Sequence, residues 1–368
     1  MLDLKNYVIV YANEEIAIDV NKARAERVRA LIAEKCGCEL EMRPDDAERA
    51  EYEILLGSAD RDEIRECGVG LMCYRIRVTE KKIVLASGGA FSLARAIDAL
   101  EALLERGLEI GYDSGAVELL TEPFEERHGE YRVMQYNILV EYEGWGSGGI
   151  LESDVMARRE PITALIFGYD PDMLVLCEFY DTWRAKMPPA LEHIYEFVCL
   201  DRDDGVSNRN GVAFRRDMFE LIDCGYDDIG FRNDINRRAV VWAVIKDKRN
   251  GKQFILCGTH FDWAGLDRAR IAQIEWAGEA IDRVRAKHKG TVILTGDLNI
   301  GKGTAIYNSI TPQTGGLVNA FEHVEHNTID HMFVDSTVTP TFAIVEQEKY
   351  TKYSSDHKPI VCDMNVEQ

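Results

Sequence analysis

Apolar and polar residues alternate along the first third of this 368-residue chain in a way that predicts a small α/β unit. Helical segments with apolar residues at three and four spacing stand between short strand-like runs, and glycines follow the helices as stop signals. The segment 74–89 alternates on both sides of a polar turn, as a β-hairpin does. The predicted strands and helices are YVIVYA (7–12), ARAERVRALIAEKCG (23–37), YEILLGS (52–58), YRIRVTEKKIVLASGG (74–89) and FSLARAIDALEALLERG (91–107).

The pattern changes after the charged stretch TEPFEERHGE (121–130). Short apolar strands follow, separated by loops rich in Gly, Asn and Asp, with one clear helix over 266–290. We therefore predict two domains, a small α/β accessory domain over 1–125 and a catalytic domain over 126–368.

Six apolar runs of the second domain carry Asp, Asn, Glu or His at one end. A polar residue at any one strand end is explained by exposure of that end to solvent. Six ends that carry only these four residue types favour instead a site for a hard divalent cation and for proton transfer. The residues are Asn137, Glu178, His260 with Asp262, Asp297 with Asn299, Asp330, and Asp356 with His357.

These residue types fit the hydrolysis of a phosphate ester. Mg²⁺ prefers oxygen ligands, and Glu178 and Asp356 would anchor it, with Asn137 adding a neutral oxygen. Imidazolium donors stabilise the negative charge of a phosphate in the transition state, a role that suits His260 and His357.

The stretch VILTGDLNI (292–300) supplies the group that would activate water. In an extended chain Asp297 and Asn299 point the same way, so we expect the carboxylate to take a proton from water and the amide to orient it. Asp330 would hold the His357 ring in one tautomer and keep it protonated.

The segments QYNIL, VLCEF, GTHFD, TGDLN, IDHMF and SDHKPI, in this order, resemble the endonuclease/exonuclease/phosphatase superfamily of metal-dependent phosphoesterases over nearly all of 131–368. The resemblance implies an α+β chain whose catalytic part is a four-layer αββα sandwich, with the site at one end of two packed sheets. It also implies the roles given above for the site residues, and it places Asn137 near the phosphate as well as the metal.

The middle segments NGVAFRRDMFEL, RRAVVWAV and THFDWAGLDRARIAQ are similar to the bacterial branch of that superfamily, in which Arg238 would be a candidate phosphate contact. Many DNA-repair members carry an acidic residue two positions after the first Asn. Leu139 stands there in this chain, which argues against a second acidic metal ligand at that position.

The N-terminal unit resembles the accessory domain that precedes the catalytic barrel in bacterial alpha-glucuronidases. The matching parts are the opening strand and helix, the strand in YEILLGSADR, and the hairpin leading into ARAIDALEALLE. This resemblance implies a carbohydrate-related context.

The net charge and the cysteines indicate which partners and which cellular compartment to expect. The formal net charge is −21, whereas a non-specific nucleic-acid binder carries a basic face. Nine cysteines, several of them inside apolar runs, are typical of reduced thiols rather than a disulfide framework. We see no signal peptide and no apolar run long enough to span a membrane, and we expect a cytoplasmic protein.

The sequence thus predicts a hydrolase that uses Mg²⁺, or Mn²⁺ in its place, on a small phosphate ester, as a phosphodiesterase or a phosphatase. A nuclease on the same scaffold is an alternative that the acidic charge disfavours. A non-catalytic protein that binds a glycan or a protein partner is a third hypothesis.

Overall fold

The computed structural model describes residues 2–13, 18–70, 72–119, 124–140, 155–187, 191–200, 210–230, 238–264, 267–324, 328–345 and 354–367. The chain divides into two compact units. The first unit comprises Met1–Glu122 and Ser153–Ala164, and the second comprises Pro123–Glu152 and Leu165–Gln368.

The first unit contains one six-stranded sheet with the strand order β2-β1-β3-β5-β4-β6. Its elements are β1 (Val8–Tyr11), α1 (Ile18–Cys36), β2 (Glu41–Pro44), β3 (Glu53–Gly57), α2 (Asp62–Arg65), β4 (Cys73–Val78), β5 (Lys82–Ser87), α3 (Ala90–Arg106) and β6 (Val117–Glu118). β2, β1, β3 and β5 pair in parallel, and β4 and β5 form the predicted antiparallel hairpin. Apolar residues of α1 at helical spacing, Ala25, Val28 and Ile32, are buried in a core shared with α3 and the sheet.

A carboxylate binds the N-terminus of α3 in the first unit. Glu160 accepts hydrogen bonds from the backbone N–H groups of Ser92 at 3.2 Å and Met72 at 3.1 Å. A Cβ at Gly89 would lie 2.4 Å from the Glu160 carboxylate, so only glycine leaves room for it. A negative charge is favourable where the first N–H groups of a helix point outward.

The second unit contains two six-stranded sheets. Their strands, in chain order, are β7 (Tyr131–Asn137), β8 (Met173–Cys177), β9 (Tyr195–Val198), β10 (Asn210–Arg215), β11 (Phe219–Asp228), β12 (Ala239–Asp247), β13 (Gln253–His260), β14 (Thr291–Asp297), β15 (Val318–Asn319), β16 (Asp330–Val334), β17 (Val338–Val345) and β18 (Ile360–Val366). We call the sheet with the order β17-β18-β7-β8-β10-β9 the front sheet, and the sheet with the order β11-β12-β13-β14-β16-β15 the back sheet.

The remaining helices are α4 (Val155–Tyr169), α5 (Asp181–Lys186), α6 (Asp267–Lys287) and α7 (Ile310–Gln313), with a short 3₁₀ helix over Tyr307–Ser309. The residues of α4 up to Ala164 count with the first unit.

The front and back sheets pack face to face around a common core. Val175 and Val212 of the front sheet and Leu256 and Ile293 of the back sheet belong to it. A Cβ at Gly258 would lie 2.8 Å from Val175, which shows how closely the sheets approach there.

The back sheet is buried on both faces because α6 covers its outer side. Ile255 of β13 joins a separate core with Ile274, Ala277 and Ile281 of α6, whereas Leu256 belongs to the core between the sheets. Successive residues of a strand point to opposite faces, so a strand buried on both sides has a continuous apolar sequence.

The helix predicted over 266–290 corresponds to α6 (Asp267–Lys287), but sequence reasoning missed α4, a second long helix of this region. Pro161 lies inside it and resembles a helix stop in the sequence. The residues Ile162–Ile166 are all buried, so the segment lacks the polar face that gives an amphipathic helix its period. Within the described ranges, no helix is long and apolar enough to cross a membrane.

Candidate active site

Strand register brings the predicted residues to one end of the two sheets. β13 and β14 are parallel and place His260 opposite Asp297. β16 runs antiparallel to β14 and places Asp330 opposite Asp297. In the front sheet, β7 and β8 are parallel and pair Asn137 with Cys177, so Glu178 is the next residue along.

Asp297 is the centre of the cluster and is 2% exposed. Its Oδ2 accepts a hydrogen bond from Asn137 Nδ2 at 3.0 Å and lies 3.3 Å from His260 Nε2 and 3.6 Å from His357 Nε2. Its Oδ1 accepts the backbone N–H of Asn299 at 2.9 Å. Both imidazole rings therefore face the same carboxylate oxygen.

Burial and a neighbouring charge control the protonation of Asp297. Burial, followed by the negative charge of Asp330, raises the pKa of Asp297 to about 7. His357 and the hydrogen bonds from Asn299 and Asn137 act in the opposite direction. A carboxylate whose pKa is near neutral pH can accept a proton from water and still be ionised under ordinary conditions.

His357 and Asp330 form a hydrogen-bonded pair, with His357 Nδ1 lying 2.7 Å from Asp330 Oδ2. Burial by itself lowers the pKa of His357, but the charges of Asp330, Asp297 and Asp356 outweigh burial and raise it well above the usual value for histidine. His357 is therefore an imidazolium at neutral pH, with Nε2–H directed toward Asp297.

Glu178 and Asn137 offer oxygens of the kind that a hard divalent cation prefers. Glu178 Oε2 accepts the N–H of Val140 at 2.7 Å, and Oε1 accepts Asn137 Nδ2 at 3.2 Å. Asn137 Oδ1 accepts the N–H of Leu139 at 3.1 Å. Each oxygen keeps a second lone pair, so the donor set fits such a cation.

Glu178 also has a φ of 58°. The left-handed region is unfavourable for a residue with a side chain, and such strain concentrates at functional sites. Here it turns the carboxylate toward Asn137 directly after β8.

Asp297, Asp330 and His357 form a possible metal site of their own, because each offers a ligand atom and these atoms lie within 4.8 Å of one another. His357, however, is an imidazolium at neutral pH because its pKa is raised well above the usual value, and a protonated imidazole has no lone pair for a metal. We therefore interpret these three residues as an acid–base group and Glu178 with Asn137 as the metal-binding part.

Two predicted residues, Asp356 and Arg238, lie at the periphery of this cluster. Asp356 is exposed, and Ser355 Oγ lies 3.5 Å from its carboxylate. Arg238 directly precedes β12, whose register pairs Val240 with Thr259, the residue before His260. Its Nε is buried without a hydrogen-bond partner among the described residues. The roles of Asp356 and Arg238 stay predictions.

Asn299 does not have the geometry that an extended chain would give it. β14 ends at Asp297, and Asn299 has a φ of 51°. Its Nδ2 donates to the carbonyl of Phe261 at 3.1 Å, and its backbone N–H donates to Asp297. The chain is therefore not extended at Asn299, so the reasoning that predicted the direction of its side chain is wrong, and its role in orienting water stays a prediction.

Sequence reasoning did not single out Gln135 or Ser355. Gln135 is buried two residues before Asn137 in β7 and contacts Asp330. Ser355 Oγ donates to the carbonyl of Asn137 at 2.6 Å and accepts the N–H of His357 at 3.1 Å. For Gln135 the available signal is its position on the same strand face as Asn137, since residues i and i+2 share a face.

Comparison with known proteins supports the same assignment. The Endonuclease/Exonuclease/phosphatase family matches residues 134–357, which is more than half of the chain and contains every candidate site residue. Nocturnin of Mus musculus is 23% identical over 307 residues, covering 70% of this chain and 70% of that protein.

Two solved structures share the fold. The human Nocturnin catalytic domain with a bound sulfate anion matches with a TM-score of 0.55 and 20% identity, over 64% of this chain and 94% of that one. The mannosyl-6-phosphatase of Bacteroides thetaiotaomicron VPI-5482 matches with a TM-score of 0.55 and 20% identity, over 64% of this chain and 99% of that one.

The family match begins at residue 134, so the resemblance of residues 1–125 to the alpha-glucuronidase accessory domain stays a prediction. The matched region contains the strand ends around Asp297. The chain therefore belongs to the endonuclease/exonuclease/phosphatase family of phosphoester hydrolases.

Proposed function

We propose that this chain hydrolyses a phosphate ester of a small molecule, with a divalent cation, by in-line attack of water. The observation that carries the proposal is the position of Asp297 Oδ2, within 3.0–3.6 Å of Asn137, His260 and His357. In this proposal the catalytic domain, residues 126–368, is a four-layer αββα sandwich with the site at one end of the front and back sheets.

Asp297 acts as the general base. Its pKa near 7 makes it ionised yet basic enough to take the proton of an attacking water. The N–H of Asn299 and the amide of Asn137 hold the two carboxylate oxygens in place, so the base keeps one orientation during attack.

His260 and His357 bind the phosphate. Both Nε2 atoms face Asp297 Oδ2, so a phosphorus atom approached by water at this oxygen lies within reach of both rings. The imidazolium of His357, held by Asp330, donates to a phosphate oxygen as charge redistributes in the transition state. Arg238 is a further candidate contact to the phosphate.

Glu178 would hold the cation, together with the oxygen of Asn137 and the exposed carboxylate of Asp356. When bound, Mg²⁺, or Mn²⁺ in its place, would neutralise part of the phosphate charge. The protein contributes a carboxylate fixed by the N–H of Val140.

A small substrate is favoured over nucleic acid by the formal net charge of −21. The printed name of the Bacteroides relative, a mannosyl-6-phosphatase, and the sulfate in the human Nocturnin domain are consistent with a site for a phosphate group. A nuclease on the same scaffold is the second candidate, and a basic surface around the site would be needed for it.

The test is hydrolysis of a chromogenic phosphate monoester and a chromogenic phosphate diester. Each is assayed with Mg²⁺, with Mn²⁺ and with a chelator, using the wild type and Asp297→Ala. Glu220→Ala, which changes an exposed residue of β11, is the matched control. We expect turnover that needs metal, disappears in Asp297→Ala and persists in Glu220→Ala. Turnover that survives the chelator or the Asp297 substitution would refute the proposal.

A further inference from the structure

Gln135 connects the two sheets directly beneath the candidate site. It is fully buried on β7 of the front sheet, and its Nε2 donates to Oδ1 of Asp330, on β16 of the back sheet, at 2.8 Å. Asn137 makes the parallel contact from the same face of β7, to Asp297. Because Asp297 and Asp330 are opposite each other in the register of β14 and β16, two amides face two carboxylates.

Chemistry fixes the orientation of the Gln135 amide. An ionised carboxylate only accepts hydrogen bonds, so the NH₂ group must face Asp330. The Oε1 atom is then buried without a hydrogen-bond partner among the described residues. A buried acceptor without a partner is unfavourable. The amide nitrogen of Gln135 also donates to Cys177 Sγ at 3.8 Å, a weak acceptor. An apolar side chain would fill this space without the penalty at Oε1, so the main contribution of Gln135 is its donor to Asp330.

The hydrogen bond from Gln135 to Asp330 Oδ1 determines the orientation of the other carboxylate oxygen, Oδ2. Oδ2 receives His357 Nδ1 at 2.7 Å and Thr328 Oγ1 at 3.2 Å. The terminal torsion of an aspartate is broad, so a carboxylate held on one oxygen only can rotate. With Oδ1 held by Gln135, Oδ2 stays aligned with the imidazole of His357, whose Nε2 then faces Asp297.

We infer that Gln135 is a positioning residue for the Asp330–His357 pair, which fixes the direction of the His357 imidazole without touching the substrate. The expected effect of Gln135 on turnover rests on the proposed function. Its effect on the geometry of the Asp330–His357 pair does not. Substituting a hydrogen-bond partner that orients a metal ligand typically costs about 10–100-fold in activity, and we expect an effect of similar size from a residue that orients the Asp330–His357 pair.

The first experiment compares Gln135→Met, which keeps the length and removes the donor, with Tyr131→Phe. Tyr131 is a buried residue at the other end of β7, and its hydroxyl donates to Asp247 at 2.7 Å, so the control removes a buried hydrogen bond far from the site. We expect Gln135→Met to lower kcat about 10–100-fold with KM nearly unchanged, and Tyr131→Phe to leave kcat unchanged. Equal kcat values for Gln135→Met and the wild type would overturn the inference.

A double-mutant cycle shows whether the effect passes through Asp330. If it does, Gln135→Met adds no further loss in an Asp330→Asn background. Independent, multiplicative losses would contradict the positioning role.

A readout that needs no turnover separates this inference from the proposed function. The Nδ1 proton of His357 should give a downfield proton NMR signal, assigned by its absence in His357→Gln. We expect this signal to broaden or shift in Gln135→Met and to persist in Tyr131→Phe. An unchanged signal overturns the positioning role, whereas a changed signal with no turnover on any ester leaves it intact and contradicts only the proposed function.

Gln135→Leu replaces Gln135→Met if the latter does not fold. If neither variant folds, Gln135 is needed for the fold itself and the inference is wrong.

Discussion

Asn137 Nδ2 donates a hydrogen bond to Asp297 Oδ2 at 3.0 Å, and this bond joins the front sheet to the back sheet inside the site. The same nitrogen lies 3.2 Å from Glu178 Oε1. One amide therefore connects the proposed base with the proposed metal ligand. It holds apart two carboxylates that would otherwise repel each other at close range.

Replacing Asp297 by Asn should stabilise the metal-free protein at high pH. The pKa of Asp297 is raised from 3.8 to about 7 in the folded state. The folded state therefore binds the proton more tightly than the unfolded state. The unfavourable contribution of the carboxylate is absent below pH 3.8, grows as the pH rises toward 7, and is complete above that pH. With chelator present, we expect Asp297→Asn to gain about 4 kcal/mol in the free energy of unfolding at pH 8 and much less near pH 4.

Denaturant unfolding at the two pH values measures this gain. Asp363→Asn is the contrasting control, because Asp363 is a buried carboxylate paired with Arg132 at 2.6 Å. Loss of that partner leaves a buried positive charge, so this variant should lose about 3–5 kcal/mol. A destabilised Asp297→Asn protein at pH 8 would be the opposite of what we expect.

Turnover should depend on pH in a bell-shaped manner. The rate rises as Asp297 loses its proton, and it falls at higher pH as His357 loses its proton, whose pKa lies well above the usual histidine value. The pKa values read from the acidic and alkaline limbs of this profile belong to Asp297 and His357 as a coupled pair. In His357→Gln we expect kcat to be lower and no longer to fall at high pH. A profile of kcat against pH for the variant and the wild type measures this. Retention of the alkaline limb in that variant would assign it to another group.

Glu178→Gln should weaken metal binding while leaving the fold intact. The substitution removes the negative charge and keeps the shape, and a hard cation depends on carboxylate charge for its affinity. We expect the dissociation constant for Mg²⁺ or Mn²⁺, measured by titration calorimetry, to rise roughly tenfold or more. Glu220→Gln should bind as the wild type does. Identical affinities for Glu178→Gln and the wild type would place the metal elsewhere.

Gly296→Ala should disrupt the site from within the back sheet. A Cβ at Gly296 would lie 1.7 Å from the carbonyl oxygen of Thr259, so β13 and β14 must move apart next to His260 and Asp297. We expect a loss of about 3 kcal/mol or more in stability, together with the loss of turnover. Gly301→Ala is the control, because its Cβ would meet a first neighbour at 3.9 Å. Thermal unfolding of both variants tests this, and a stable, active Gly296→Ala enzyme would contradict it.

The sequence predicted the site residues because each one ends an apolar run, which is a local signal. His260, Asp297 and Asp330 lie where that signal placed them. Their convergence depends on the pairing of distant strands, which no single run encodes; the shared residue types of the six ends suggested one site, and the family resemblance gave its place in the fold.

The features that the sequence missed depend on backbone turns and burial. The left-handed backbone of Asn299 breaks the extended chain on which its predicted direction depended. Gln135 lies inside a buried strand, where its contact with Asp330 requires the packing of the front sheet on the back sheet. Helix α4 is buried over Ile162–Ile166, so it has no amphipathic period for a sequence to show.

The most direct test of the central claim is hydrolysis in ¹⁸O-labelled water, with metal present, by the wild type and by Asp297→Asn. We expect the wild type to place one labelled oxygen in each product phosphate, because water attacks phosphorus. We expect Asp297→Asn to lower kcat by at least about 100-fold, in the range for the loss of a general base. Label found in the alcohol product instead, or undiminished turnover in Asp297→Asn, would show that water does not attack phosphorus at a site where Asp297 is the base.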